Sequence, residues 1–370
     1  MKIAIEIGWA HKLGGARRVA IKTLCEMKRL RPSHQYIILC NSPVYPFYSS
    51  SLVFKTPALI PQVVWDQAVF PHVAVPLAAM KLKPDVIHYT NNIMSFWINR
   101  PAVVTIHDML PFIMPDSFVS VHGAYQRAYM RFAAKKARKI ITVSEASRQD
   151  ICRILNVDEE KIVVAPNAAK FVQKQEMSEK DLEELDIRLG IKKPFILYVG
   201  AIHPRKNVNR LLEAYHLLKT RHGIDHQLVI VGAIGWKKRE AINAKTLNKV
   251  KKQVILTGSV DDDTLVCLYK RCAAFVYPSL YEGFGLPVLE AMSMGAPVVT
   301  SNTSALIEVA QDAAILVDPF EVEDIAQGIL KIINNLKLSQ QLSKKAIQRA
   351  SDFSWAKTAQ KVLETLESVV

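Results

Sequence analysis

The sequence predicts two doubly wound α/β domains, each a parallel sheet with helices on both faces. Short runs rich in Val and Ile alternate with longer helical patterns from end to end. Those runs show little polar alternation, which marks parallel strands buried on both sides. At 370 residues the chain is also too long for one compact core and suits two domains of ordinary size.

In order, the first half offers strands at Lys2–Ile7, Tyr36–Cys40, Val86–Tyr89, Ala102–Ile106 and Lys139–Val143, with a further strand end at Ile162–Ala165. A helix from about Ala124 runs into Lys135, Lys136, Arg138 and Lys139, and cations suit a helix C-terminus. Residues 173–193 are polar and charged, with one short amphipathic turn (Leu182, Leu185). They are expected to link a domain of residues 1–172 to one of residues 194–353. The second half offers strands at Phe195–Val199, Gln227–Val231, Val254–Leu256, Ala273–Tyr277 and Pro297–Thr300. Open sheets of this kind bind ligands beyond the carboxyl ends of their strands. Two such sheets facing each other would bind across a central cleft.

Half the residues are apolar and 22% are charged, a soluble globular composition. The most apolar stretch, Ala68 to Met80, is broken by Pro71, His72 and Pro76, and no run approaches the roughly 18 apolar residues of a membrane span. Cys25, Cys40, Cys152, Cys267 and Cys272 are odd in number with no Cys-x-x-Cys pair, as expected of reduced core thiols in the cytoplasm. Charge is uneven: residues 1–175 hold 23 Lys+Arg against 11 Asp+Glu, and residues 176–370 hold 25 against 23. The basic half suits an acidic acceptor or an anionic membrane surface, to which the chain would be peripheral on the inner face. Nucleic acid is not expected, because no aromatic-interleaved basic motif accompanies the charge.

The segment from Tyr281 to Val299 carries the most chemistry. It reads as a glycine-rich turn, a short helix and a strand, with Glu282 and Glu290 eight residues apart. Pro287 suits the first helical position and Gly295 the left-handed stop. Gly283 and Gly285 let backbone amides turn outward beside the helix N-terminus, which favours a phosphate or sugar oxygen. Carboxylates beside an anion site make sense if the ligand also carries hydroxyls, as a nucleotide sugar does. The plainer alternative is an ordinary turn with two surface glutamates.

This whole segment resembles the signature of the retaining glycosyltransferases of family 4, which have the GT-B fold: two Rossmann-like domains facing a central cleft. The resemblance implies that Glu290 meets the ribose hydroxyls, and that Glu282 with the amides of Gly283, Phe284, Gly285 and Leu286 orients the sugar. Gly200 to Asn207, with Arg205 and Lys206 between a strand and a helix, matches the family's Gly…Arg-Lys-Asn segment, and the pair is implied to hold the donor diphosphate. A solvated basic loop is the alternative. Gly14-Gly15 stands where the family keeps a glycine pair over the donor, though Ala16-Arg17-Arg18 beside it is less typical. His107, after the strand Ala102–Ile106, is implied to contact the transferring sugar, with Asp108 as its neighbour or a helix cap. Ser259 and Val260 lie where relatives hold the base. The end of the chain, residues 354–370, resembles the last helix, which packs back on the first domain.

Ser144, Glu145 and Asn167 also end strands and are weaker candidates, acceptor-side or structural. Asp261-Asp262-Asp263 looks like a metal set, but it opens a helix, where Asp caps free amides. The resemblance implies a transferase with no metal and no cofactor, and because the ending Glu308 to Pro319 with His107-Asp108 looks most like the family's mannosyltransferase-rich branch, it implies GDP-mannose first and a UDP-hexose second. Its acceptor would be a glycan or lipid-linked sugar in cell-surface polysaccharide assembly. A sugar-nucleotide epimerase and a non-catalytic nucleotide-sugar-binding protein are the rivals.

Overall fold

Ile3, Ile5 and Ile7 fall on one face of the first strand and Ala4 and Glu6 on the other, and all five are buried. The three isoleucines share a core with Leu24, Met27, Leu363 and Leu366, while Ala4 packs with Phe70, Val75 and Tyr89. A period of two thus feeds two separate cores, which is why neither face of this strand meets solvent. The structure, a computed structural model, describes residues 1–8, 15–41, 51–53, 65–98, 100–117, 120–170, 178–192, 194–233 and 244–370.

The chain forms two units, Met1–Asn167 with Ser354–Val370, and Ala168–Phe353. In the first, the strands are β1 (Lys2–Ile7), β2 (Gln35–Cys40), β3 (Ser51–Val53), β4 (Val86–Tyr89), β5 (Ala102–Thr105), β6 (Lys139–Thr142) and β7 (Ile162–Val164). They pair in parallel in the order β3-β2-β1-β4-β5-β6-β7. The last helix, Trp355–Glu367, buries Ala359, Val362, Leu363 and Leu366, a helical i, i+3, i+4, i+7 stripe, beside the helix Gly15–Leu30. Ser354 caps it, accepting from Lys357 N (3.2 Å), and Lys361 Nζ ties it to the Val164 carbonyl (2.9 Å).

The second unit has β8 (Phe195–Val199), β9 (Gln227–Val231), β10 (Val254–Gly258), β11 (Ala274–Tyr277), β12 (Val298–Ser301) and β13 (Ile315–Val317). These are parallel in the order β10-β9-β8-β11-β12-β13. The segment expected as a linker differs. Residues 173–177 lie outside the described residues, and Glu179–Leu189 is a helix with a capping box at Ser178 and Asp181. It buries Leu185 and pairs Asp186 with Arg271 (2.5 Å), so it belongs to the second unit, whose start moves from residue 194 to Ala168. Polar composition signalled its solvent face, while two buried contacts decided its place. The short strands β3 and β13 were also absent from the sequence reading.

Candidate active site

In the second sheet β8 and β11 are neighbours, and the later strands wind away from them on either side. This is the switch point of an open α/β sheet, where a crevice forms beyond the carboxyl ends. After β8 the chain makes a tight turn, Pro204–Lys206, then enters the helix Val208–Arg221 through Asn207 at φ 60°. Asn207 Nδ2 donates to the carbonyls of Pro278 (3.0 Å) and Pro319 (2.6 Å), so the turn is tied to the segments that follow β11 and β13. His203 Nδ1 accepts from Arg205 N (3.4 Å) and shapes the same turn.

Four side chains then meet one oxygen. Glu282 Oε1 lies 2.7 Å from Arg205 Nη1 and 2.6 Å from Ser279 Oγ, accepts from Tyr277 OH at 3.1 Å, and is paired with Lys206 Nζ. Lys206 also bonds the Tyr277 hydroxyl and sits 4.9 Å from that ring's centre. Glu282 is 7% exposed. Burial alone would raise its pKa, but the charges of Arg205 and Lys206 outweigh it and hold the carboxyl at about 2. An anion and two cations are thus preset at the crevice floor, with Ser304 Oγ accepting from Glu282 N (3.1 Å) to fix the backbone. Breaking a buried pair of this kind costs about 3–5 kcal/mol.

The glycine-rich turn opens the helix Leu286–Ser293 at Gly285, φ 102°. A Cβ there would lie 2.6 Å from Leu306 Cδ2, so both the backbone angle and the space demand glycine. Gly295, at φ 76°, ends the helix. Leu286 N stands in the first turn, where an amide has no carbonyl four residues back. Phe284 is buried edge-on against Phe353 (5.7 Å), so its side chain serves packing and its backbone faces the turn. Glu290 is 9% exposed and accepts from the fully buried Tyr269 hydroxyl (3.3 Å). The reading of both glutamates as ordinary surface residues therefore fails. Ser259 is exposed and Val260 half-buried just after β10. Asp261 caps the next helix, accepting from Thr264 N (2.8 Å), and that bond lowers its pKa.

The first sheet has its own switch point between β1 and β4. Glu6 there is buried, accepts from Gly8 N (2.6 Å), and burial raises its carboxyl to about 7. Thr90 Oγ1 donates to the Glu6 carbonyl (2.8 Å), and the Thr90 carbonyl is 3.0 Å from His107 Nε2. A carbonyl only accepts, so Nε2 carries the proton and Nδ1 the lone pair when His107 is neutral. Burial lowers the His107 pKa, against the Thr90 carbonyl and Asp108, which raise it. Asn92 Oδ1 accepts from His107 N (3.0 Å). His107 also borders a cavity of about 30 Å³, with His88 and Asn167, whose Oδ1 is buried and has no partner among the described residues.

The structure thus brings Arg205, Lys206 and Glu282 into one cluster, with Gly283, Phe284, Gly285, Leu286 and Glu290 on the same turn and helix. Gly200 directly follows β8, its N donating to Val231 O (2.9 Å). Gly15 is the first residue of the helix Gly15–Leu30, and Gly14 lies outside the described residues. Asp108 accepts from Leu110 N (3.0 Å) in a local turn, and Ser144 caps the helix Glu145–Leu155 by accepting from Ser147 N (3.0 Å). Glu145 pairs with Arg148. Sequence reasoning missed Tyr277, Ser279, Tyr269 and Glu6. Tyr277, Ser279 and Glu6 sit at carboxyl ends of central strands, a position that could have singled them out.

Comparison with known proteins gives a consistent picture. The family model "Glycosyl transferases group 1" matches residues 181–349, and "Glycosyltransferase Family 4" matches residues 13–170. O-antigen chain mannosyltransferase B of Escherichia coli is 33% identical over 69% of this chain and 67% of its own length. Serotype-specific mannosyltransferase WbdA of Escherichia coli is 27% identical over 78% of this chain, which spans 37% of that longer protein. The Anabaena protein HepE, solved in complex with UDP-glucose, superposes with a TM-score of 0.77 at 21% identity, covering both chains fully (100% each).

Proposed function

The chain belongs to glycosyltransferase family 4 and has the GT-B fold, and from that premise we propose that it is a retaining, metal-independent hexosyltransferase. Its donor is a nucleotide diphosphate sugar, GDP-mannose first and a UDP-hexose second. Its acceptor is a glycan or lipid-linked sugar of a cell-surface polysaccharide. The mannosyltransferase relatives support the first donor, and the UDP-glucose complex of HepE supports the second.

One observation carries the reading: Arg205 and Lys206 are buried together against Glu282 at the switch point of the second sheet. The diphosphate takes Arg205 and Lys206 as its partners, with the amides of Gly283 to Leu286 beside it. Charge gathers on the leaving phosphate as the anomeric bond breaks, and fixed cations stabilise that state more than the ground state. Glu282 is released in part to accept sugar hydroxyls, Glu290 accepts from the ribose, and Ser259 and Val260 flank the base. In the first unit, His107 offers Nδ1 to a hydroxyl. The acceptor attacks from the leaving-group face and the departing phosphate takes its proton, which gives retention without a covalent enzyme intermediate.

Calorimetry with GDP, UDP and ADP in the presence of EDTA tests the donor and the metal independence together. Submicromolar to micromolar binding of one nucleotide is expected. Binding of none, or binding only after a divalent cation is restored, overturns the respective part. Product anomer configuration by NMR then tests retention.

A further inference from the structure

The helix Val75–Leu82 follows a wider helical turn, Trp65–Ala74, and buries Val75, Pro76, Ala78 and Ala79 on one side. The other side should be polar in a helix that merely covers a sheet. Here it carries Leu77 and Met80, 60% and 62% exposed, and Val73 at the end of the preceding wider turn extends the apolar row. Phe96 stacks on His72 (4.8 Å), next to Val73 in sequence, and its other contacts are Tyr129 (4.8 Å) and Phe132 (4.6 Å). That packing fastens the Phe96–Trp97 corner to the helix with the stripe. Ser95 Oγ accepts from Trp97 N (3.3 Å) in a tight turn, and the Trp97 side chain is 73% exposed. These five residues are among the 12 most exposed large apolar side chains of the described residues.

The cations lie on the same elements. Lys81 and Lys83 end the stripe, and Lys135 and Lys136 end the helix whose Tyr129 and Phe132 hold Phe96. All four are exposed, and none pairs with a carboxylate among the described residues. An apolar stripe edged by lysines and led by a tryptophan has the composition of a surface that lies in a bilayer interface. Lysine stems reach along the apolar layer while their charges meet phosphate headgroups.

We propose that Val73, Leu77, Met80, Phe96 and Trp97 form an insertion surface that docks the first unit on an anionic lipid bilayer, with Lys81, Lys83, Lys135 and Lys136 meeting the headgroups. This deepens the reading of a lipid-linked acceptor and rests on it for its use, though not for its geometry. Charge complementarity selects the bilayer over a second copy of the chain, because two such faces would bring like charges together.

The test is flotation with vesicles of phosphatidylglycerol and phosphatidylethanolamine, compared with vesicles of phosphatidylcholine alone. The full chain is expected to float with the anionic vesicles and to leave them as salt rises. The triple variant Leu77→Gln, Met80→Gln, Trp97→Gln should partition at least about tenfold less, since each change removes an inserted apolar group. Its nucleotide binding by calorimetry should be unchanged, which separates lost docking from lost folding. Reversing Lys81 and Lys83 to Glu should abolish the preference for anionic lipid. No flotation of the wild-type chain, or equal flotation of the triple variant, overturns the proposal. So does a lipid-free dimer in sedimentation velocity that the triple variant abolishes, which would make a second copy the occupant. A chain that floats but binds no nucleotide sinks the transferase reading and leaves the docking surface standing; one that binds nucleotide but does not float does the reverse.

Discussion

Glu282→Gln separates the two roles of the buried cluster. The substitution keeps the shape and removes the charge, leaving Arg205 and Lys206 without their anion. The gap between the ordinary 4.5 and the value of about 2 that Arg205 and Lys206 impose corresponds to about 3 kcal/mol, at about 1.4 kcal/mol per tenfold change in proton affinity. Because the folded-state pKa is depressed, this stabilisation is complete above about 4.5 and is lost as pH falls toward about 2. Urea denaturation at pH 7 should therefore show the variant about 3 kcal/mol less stable, with the difference narrowing below pH 4.5. The same change removes a negative charge that competes with the incoming diphosphate. Nucleoside diphosphate should bind the variant about tenfold more tightly, roughly one close charge repulsion in a partly screened site. Transfer should nevertheless fall by about two to three orders of magnitude, because the sugar loses its orienting carboxylate. A variant as stable as the wild type at pH 7, or one with weaker nucleotide binding and unaltered transfer, would refute the reasoning.

Lys206→Met should lower nucleotide affinity and transfer together, the latter by about two orders of magnitude or more; unchanged calorimetric affinity would remove Lys206 from the diphosphate site. Glu6→Gln should act on stability with the opposite pH sense. Its raised pKa means that stability is full below about 4.5 and declines as pH rises through about 7. The amide should thus raise Tm at pH 8, by the equivalent of up to about 3 kcal/mol, and do little at pH 4; an equal effect at both pH values would contradict a buried carboxyl. Gly285→Ala should destabilise by more than about 1 kcal/mol and weaken nucleotide binding, since both φ and Leu306 oppose a Cβ. Adding Leu306→Ala should restore only part of the loss, and full recovery would show that space alone mattered.

Much of the fold was legible because the strands are short and uniformly apolar. Phe195–Val199 and Gln227–Val231 stand out residue by residue, each buried on both sides of a parallel sheet. The turn at Gly285 and the stop at Gly295 were legible for a similar reason, since only glycine is cheap at those backbone angles. Positions that depend on a partner distant in sequence were not. Glu282 looked like a residue at the mouth of a loop, but Arg205 and Lys206, more than seventy residues earlier, bury and ionise it.

The sequence by itself determined the class of fold, the glycine-rich helix start and the residue types of a phosphate and sugar site, because those rest on local period and local backbone freedom. Only the tertiary structure decided that β8 and β11 are adjacent, so that two loops converge on one carboxylate oxygen. It also placed the helix Glu179–Leu189 in the second unit and left Leu77, Met80 and Trp97 in the open. The physical reason is common to all three: burial, pairing and exposure are properties of what folds against a residue, and in a doubly wound chain that partner comes from far along the sequence.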